Sequence, residues 1–87
     1  MSMIGGEVEQ LSSLKTTFER QAGVVQELTS ALRTQLDSTN WLGPNAEQFR
    51  SVWSGEYEPV LRRLEQALID AGAAVGAARD RLIQAGS

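Results

Sequence analysis

Two long runs of heptad-spaced apolar residues, separated by a short break, constrain this chain more than any other feature, because few small folds satisfy such a pattern. Upstream, Val8, Leu11, Phe18, Val25, Leu28, Leu32 and Leu36 recur at steps that sum to a helical period. Downstream, Phe49, Trp53, Val60, Leu64, Leu68, Ala71, Val75, Ala78 and Leu82 do the same. The break holds Trp41-Leu42-Gly43. A helical seam, a tight turn carrying an aromatic side chain, and a second helical seam describe an all-α chain folded as an antiparallel helix-turn-helix hairpin.

The ends of these helices are written in the residues beside them. Gly5-Gly6 predicts a loose start, so the first helix is expected over about residues 7–38, with Glu7 and Glu9 in its positive first turn. Asp37-Ser38-Thr39-Asn40 is a cluster of short polar side chains that compete for backbone hydrogen bonds and should end it. The turn then covers about 39–43. Pro44 suits the first position of a helix, where its missing N–H has no partner to lose, and the second helix is expected over about 44–85 with Gly86 as its stop. Pro59 cannot donate to the carbonyl of Gly55, so a kink is expected near 55–59. Because Val60 and Leu64 continue the phase of Phe49 and Trp53, the pattern favours one bent helix over two separate ones. The whole of 1–87 reads as one hairpin domain.

With 87 residues, a lone pair of helices buries one seam and is marginal unless something else covers its apolar surface. A second apolar line strengthens that expectation: Leu14, Val24 and Ala31 on the first helix, Val52, Leu61, Ile69 and Ile83 on the second. The candidate packing residues for hairpin and partner together are Leu11, Phe18, Val25, Leu28 and Leu32 on one helix. On the other they are Phe49, Trp53, Val60, Leu61, Leu64, Leu68 and Val75. Trp53 falls within the heptad and reads as core. Trp41 precedes a glycine and a proline in a turn, where full burial is hard, and reads as a partly exposed ring rather than a buried anchor.

Composition removes several function classes. There is no Cys and no His, hence no thiolate nucleophile, imidazole base or thiolate metal site. The net charge is −3, and seven arginines and one lysine are interleaved with acids, so no basic stripe tracks a phosphate backbone and nucleic acid is not an expected partner. Arg62, Arg63, Arg79 and Arg81 have Glu58, Glu65, Asp70 and Asp80 around them and read as intrahelical ion pairs. The pairs Glu7/Glu9 and Glu56/Glu58 stand two residues apart, point away from each other on a helix, and read as solvated surface acids. No enzyme and no cofactor or metal are expected. Gly72 and Gly76 are spaced either for a close helix approach or as a stretch of poor helix propensity. The weakly polar run Ala71–Ala78 is far shorter than the roughly 18 residues of a membrane span. The first residues lack the basic and apolar regions of a signal peptide, so export, if any, is expected by another route.

A central Trp41-x-Gly43, an aromatic Phe49 six residues after the glycine, Trp53 four further on, and two heptad helices spanning the chain resemble the WXG family, the small ESAT-like helical hairpins of type VII secretion. The resemblance implies a protein that is cytoplasmic before export and secreted or cell-surface afterwards. It implies a homodimer, or a heterodimer with a sister WXG protein, packed as an antiparallel four-helix bundle. It gives the turn Trp41, Leu42 and Gly43 a role in export or recognition, with the secretion ATPase or a larger cargo as further partners. The family completes its export signal with a Tyr-x-x-x-Asp/Glu element near the end of the second helix. Here Gly76 stands four residues before Asp80, and the lone tyrosine, Tyr57, is followed four residues on by Leu61. This departure leads to the expectation that a partner or cargo supplies that half of the signal. A second reading is a helical effector that perturbs membranes after export; the acidic balance of the chain speaks against it, since membrane-surface helices carry a basic polar face.

Overall fold

In a computed structural model the described part of the chain is helical apart from one turn. The structure describes residues 2–86, with side chains from Gly5 to Gly86; Met1 and Ser87 lie outside the described residues. Helix α1 runs Ser2–Ser38, α2 Pro44–Val52, a π-helical turn Trp53–Tyr57, and α3 Glu58–Gly86. The last three form one continuous second arm. Among the described residues there is no strand.

The two arms are antiparallel. Arg33 meets Glu58 near the turn and Ser12 meets Arg79 near the open end, the same number of residues apart on both arms but in opposite directions. At 1.5 Å per residue the 37-residue α1 spans roughly 55 Å, and the molecule measures 65 × 17 × 12 Å with a radius of gyration of 19.4 Å. A compact domain of this length would have a radius near 12 Å. The protein is a rod two helices thick, and that shape controls everything about its core.

The core is thin and made of small residues. Among the described residues the buried positions are Ala22, Val25, Thr29, Ala46, Gly72 and Gly76, and no Leu, Ile, Phe or Trp is fully covered. Thr29 fits this line because its hydroxyl donates to the Val25 carbonyl of its own helix at 2.8 Å, which satisfies the one polar group it brings. Gly72 lets the arms close, since a Cβ there would sit 3.3 Å from the Phe18 Cβ and 3.6 Å from the Lys15 carbonyl oxygen; over Gly76 lies the flexible end of Lys15, its Cε 2.8 Å from where a Cβ would be. Of the two readings of the glycine spacing, close approach is the one the structure takes.

Helix α1 starts earlier than Gly5-Gly6 predicts. Once a helix is nucleated each further residue adds a hydrogen bond, and two glycines costing about 1 kcal/mol each do not stop it. The early start moves Glu7 and Glu9 out of the first turn, which holds no acid.

Candidate interaction surface

The turn is short and tightly tied. Beyond Ser38 the chain makes only two backbone bonds before the next helix, Thr39 N–H to the Leu36 carbonyl at 3.3 Å and Trp41 N–H to the Thr39 carbonyl at 2.9 Å. The Arg50 side chain supplies the rest. Its guanidinium donates to the carbonyls of Trp41 (2.7 Å), Thr39 (3.0 Å) and Leu36 (3.3 Å), so one cation caps the negative end of α1 and fixes the loop that follows it. Gly43 has φ 106°, a conformation other residues resist, and its carbonyl accepts the Glu47 N–H at 3.0 Å to begin α2 with Pro44 in the first position. Nothing in the heptad pattern marks Arg50, because the α1 carbonyl it reaches lies on the other arm.

On this pedestal Trp41 is 40% exposed, its ring 5.7 Å from that of Phe49 and tilted by 46°, and Leu42 is 85% exposed. Trp41 is thus neither free nor buried: Phe49 supports one side of it. Trp41, Asn45, Gln48, Phe49, Val52 and Tyr57 line a surface cavity of about 280 Å³. A second cavity of about 280 Å³, mostly apolar, opens between the arms and is lined by Leu32, Gln35, Leu36, Thr39, Phe49 and Trp53.

Behind the turn lies a polar cluster centred on Glu58. Arg33 donates to it twice across the hairpin, Nε to Oε1 and Nη2 to Oε2, each at 2.8 Å. Arg62 adds a bond at 3.1 Å and the Trp53 indole N–H one at 3.2 Å. The fork of Arg33, aided by Arg62 and Trp53, holds the Glu58 carboxyl down to about 2 against partial desolvation, and Glu58 in turn raises Arg33. Reading Glu58 as a solvated surface acid is therefore incorrect. Spacing within its own helix cannot show that the turn brings Arg33 against it. Arg62 to Glu58 does form the intrahelical pair expected from spacing, and Arg79 pairs with Asp80.

The apolar residues divide between two sides in a way the heptad count does not give. Leu61, Leu68 and Val75 are half-buried beside the buried Gly72 and Gly76, whereas Val60 and Leu64 are 51% and 47% exposed. On α1, Leu11, Phe18, Val25 and Leu36 are covered to varying extents, while Leu14, Leu28 and Leu32 are exposed. At about 100° per residue the exposed Leu14, Leu28 and Leu32 of α1 lie to one side of its buried line, and Val60 and Leu64 of α3 lie to the side of its own line that, in an antiparallel hairpin, is the same face, whereas the exposed Ile69 and Ile83 do not lie on that side. The cavity joining Leu32 to Phe49 opens on that face, and the polar cleft of Arg33, Asp37 and Glu58 opens on the opposite one. The hairpin thus has an apolar broad face and a polar broad face.

Comparison with family models, curated proteins and solved structures found no match for this chain. Among the described residues no helix is long and apolar enough to cross a membrane, and no group of three or more His, Cys, Asp or Glu residues is placed to hold a metal ion.

Proposed function

We propose that this protein works by helical protein–protein contact through its apolar face, as a substrate or export adaptor of a type VII secretion system that travels as a dimer. The observation that carries the reading is the uncovered stripe of Leu14, Leu28, Leu32, Phe49, Val60 and Leu64. The chain exposes 6262 Å², against roughly 5,000 Å² for a compact monomer of its mass. The surplus is comparable to the roughly 800 Å² per partner that a standard interface covers. Full burial of a Leu or Val stabilises by about 1.5–3 kcal/mol, and because these residues are about half-exposed each would contribute roughly half of that on association.

The distribution of bulk supports an antiparallel arrangement of two hairpins. Four of the five aromatic residues are gathered near the turn, from Trp41 to Tyr57, while the second arm towards the open end is rich in alanine and glycine from Ala67 to Ala78. Laying one hairpin head to tail on another sets large against small, which close packing requires. The Trp41-Leu42-Gly43 turn then stands at each end of the bundle, rigidly presented by Arg50, as the element that the secretion ATPase or a cargo partner reads.

The test is export from the native host together with stability in vitro. Trp41→Ala, which removes a ring with one supporting neighbour, should cost about 1 kcal/mol and lower the amount of protein found outside the cell at least tenfold. Trp53→Ala removes a half-buried ring and the Glu58 bond and should cost about 2–3 kcal/mol, below the range for a fully buried tryptophan. Normal export of the Trp41→Ala protein removes the recognition role of the turn; absence of the wild-type chain from the medium removes the secretion reading. Dye release from acidic-lipid vesicles by the wild type would point instead to a membrane-perturbing effector.

A further inference from the structure

Two apolar lines run along the second arm, and only one can face α1. Followed through unbroken α-helix, Trp53 is in phase with Val60, seven residues on, and then with Leu64. The structure instead closes on Leu61, eight residues on, followed by Leu68, Gly72 and Gly76. One residue is the whole difference, and it corresponds to about 100° of rotation. The π turn Trp53–Tyr57, where the Glu58 N–H bonds the Trp53 carbonyl five residues back, holds one residue more than an α-helical turn would.

We propose that this π turn is a one-residue phase shifter that decides which apolar line closes the hairpin and which is left for a partner. With it, Ala46 and Trp53 at the turn end share a side with Leu61, Leu68 and the two glycines, and Val60 and Leu64 are left on the open face. Without it, α2 locked in phase with Val60 and Leu64 would swing Phe49 and Trp53 out to the open face. The turn end of the hairpin would then lose its aromatic cover.

Two features hold the shifter in place. Pro59 has no N–H to offer the Gly55 carbonyl, which removes the bond that would tighten the turn to α. Glu58 joins the first residue of the turn, through the Trp53 indole, to Arg33 on the other arm. The proline opens the turn; the demand of both flanking seams for the same side keeps it open.

The inference is independent of secretion and is tested on the isolated chain. Deleting Gly55 in a Pro59→Ala background removes the extra residue and the ring clash together, and restores a seven-residue step from Trp53 to the leucine now at Leu61. This variant should keep the helix content and the cooperative melting of Pro59→Ala alone. Deleting the exposed Ala67 in the same background, within regular α-helix, should abolish cooperative melting, because residues 68–86 turn by about 100°. Equal damage from the two deletions overturns the proposal. Pro59→Ala alone should retain the shifted Trp53 indole N–H resonance of the Glu58-bonded ring; loss of that shift would make the proline, and not the seam, the cause of the π turn, and would also overturn it.

Discussion

The two ends of the rod are joined by different physics. At the turn end the arms are held by directional polar bonds: the Arg50 guanidinium on three carbonyls, and Glu58 on Arg33, Arg62 and the Trp53 indole. Towards the open end the arms are held by nearness, with Gly72 against Phe18 and Gly76 beneath the Lys15 side chain, and by a cross-arm hydrogen bond from Arg79 to Ser12 at 3.3 Å. The difference teaches where each kind of change is felt. A polar network fails when one partner is removed; a close contact fails when volume is added.

The largest effect should come from adding volume at the open end. Gly72→Leu drives a side chain against the Phe18 Cβ and the Lys15 carbonyl and should destabilise by about 3 kcal/mol, measured by denaturant unfolding. Gly76→Ala should be neutral or stabilising, since only the far end of Lys15 has to move and replacing a helical glycine gains about 1 kcal/mol. Tolerance of leucine at Gly72 would mean that the arms do not approach so closely, and the contrast between the ends would collapse.

A middle effect should come from removing the clamp. Arg50→Met keeps most of the stem but leaves the Trp41 carbonyl without its donor and the Leu36 and Thr39 carbonyls with only their backbone donors, at a cost of about 1–2 kcal/mol. The damage should be local, seen as faster proteolysis within 39–43 while the helix content stays constant. If the loop remains protected, the hairpin turn is held by Gly43 and Pro44 alone.

The smallest and most specific effect is in pH. Because the Glu58 carboxyl is lowered from 4.5 to about 2 on folding, its contribution is fully present above pH 4.5 and is lost as the pH falls from 4.5 through about 2. The stability difference between wild type and Glu58→Gln should therefore shrink over that interval and be flat above it. A constant difference down to pH 2 would mean that the Arg33–Glu58 fork does not form.

Much of the plan was legible in the residues, and the gaps have physical reasons. Heptad spacing is a property of the backbone period, so the two-helix, all-α architecture could be read directly, as could the irregularity around Pro59, whose missing N–H acts locally. The side assigned to Val60 and Leu64 was not legible, because a periodic count assumes 3.6 residues per turn throughout, and one π turn resets it. Arg50 and Glu58 were missed for a related reason: their partners, Leu36 and Arg33, lie on the other arm and are brought to them only by the fold. Within the candidate surface, the partial exposure of Trp41 followed from its place before Gly43 and Pro44. The support it receives from Phe49, and the higher exposure of Leu42 beside it, depend on the path of the loop.

The central claim is that the face carrying Leu28, Leu32, Val60 and Leu64 is an interface, with a second copy of the chain as its occupant when the protein is alone. Sedimentation equilibrium at micromolar concentration tests it directly, with Leu64→Asp beside the wild type. The account predicts a dimer for the wild type and a monomer of unchanged helix content for Leu64→Asp. A stable, fully helical wild-type monomer at that concentration would contradict it.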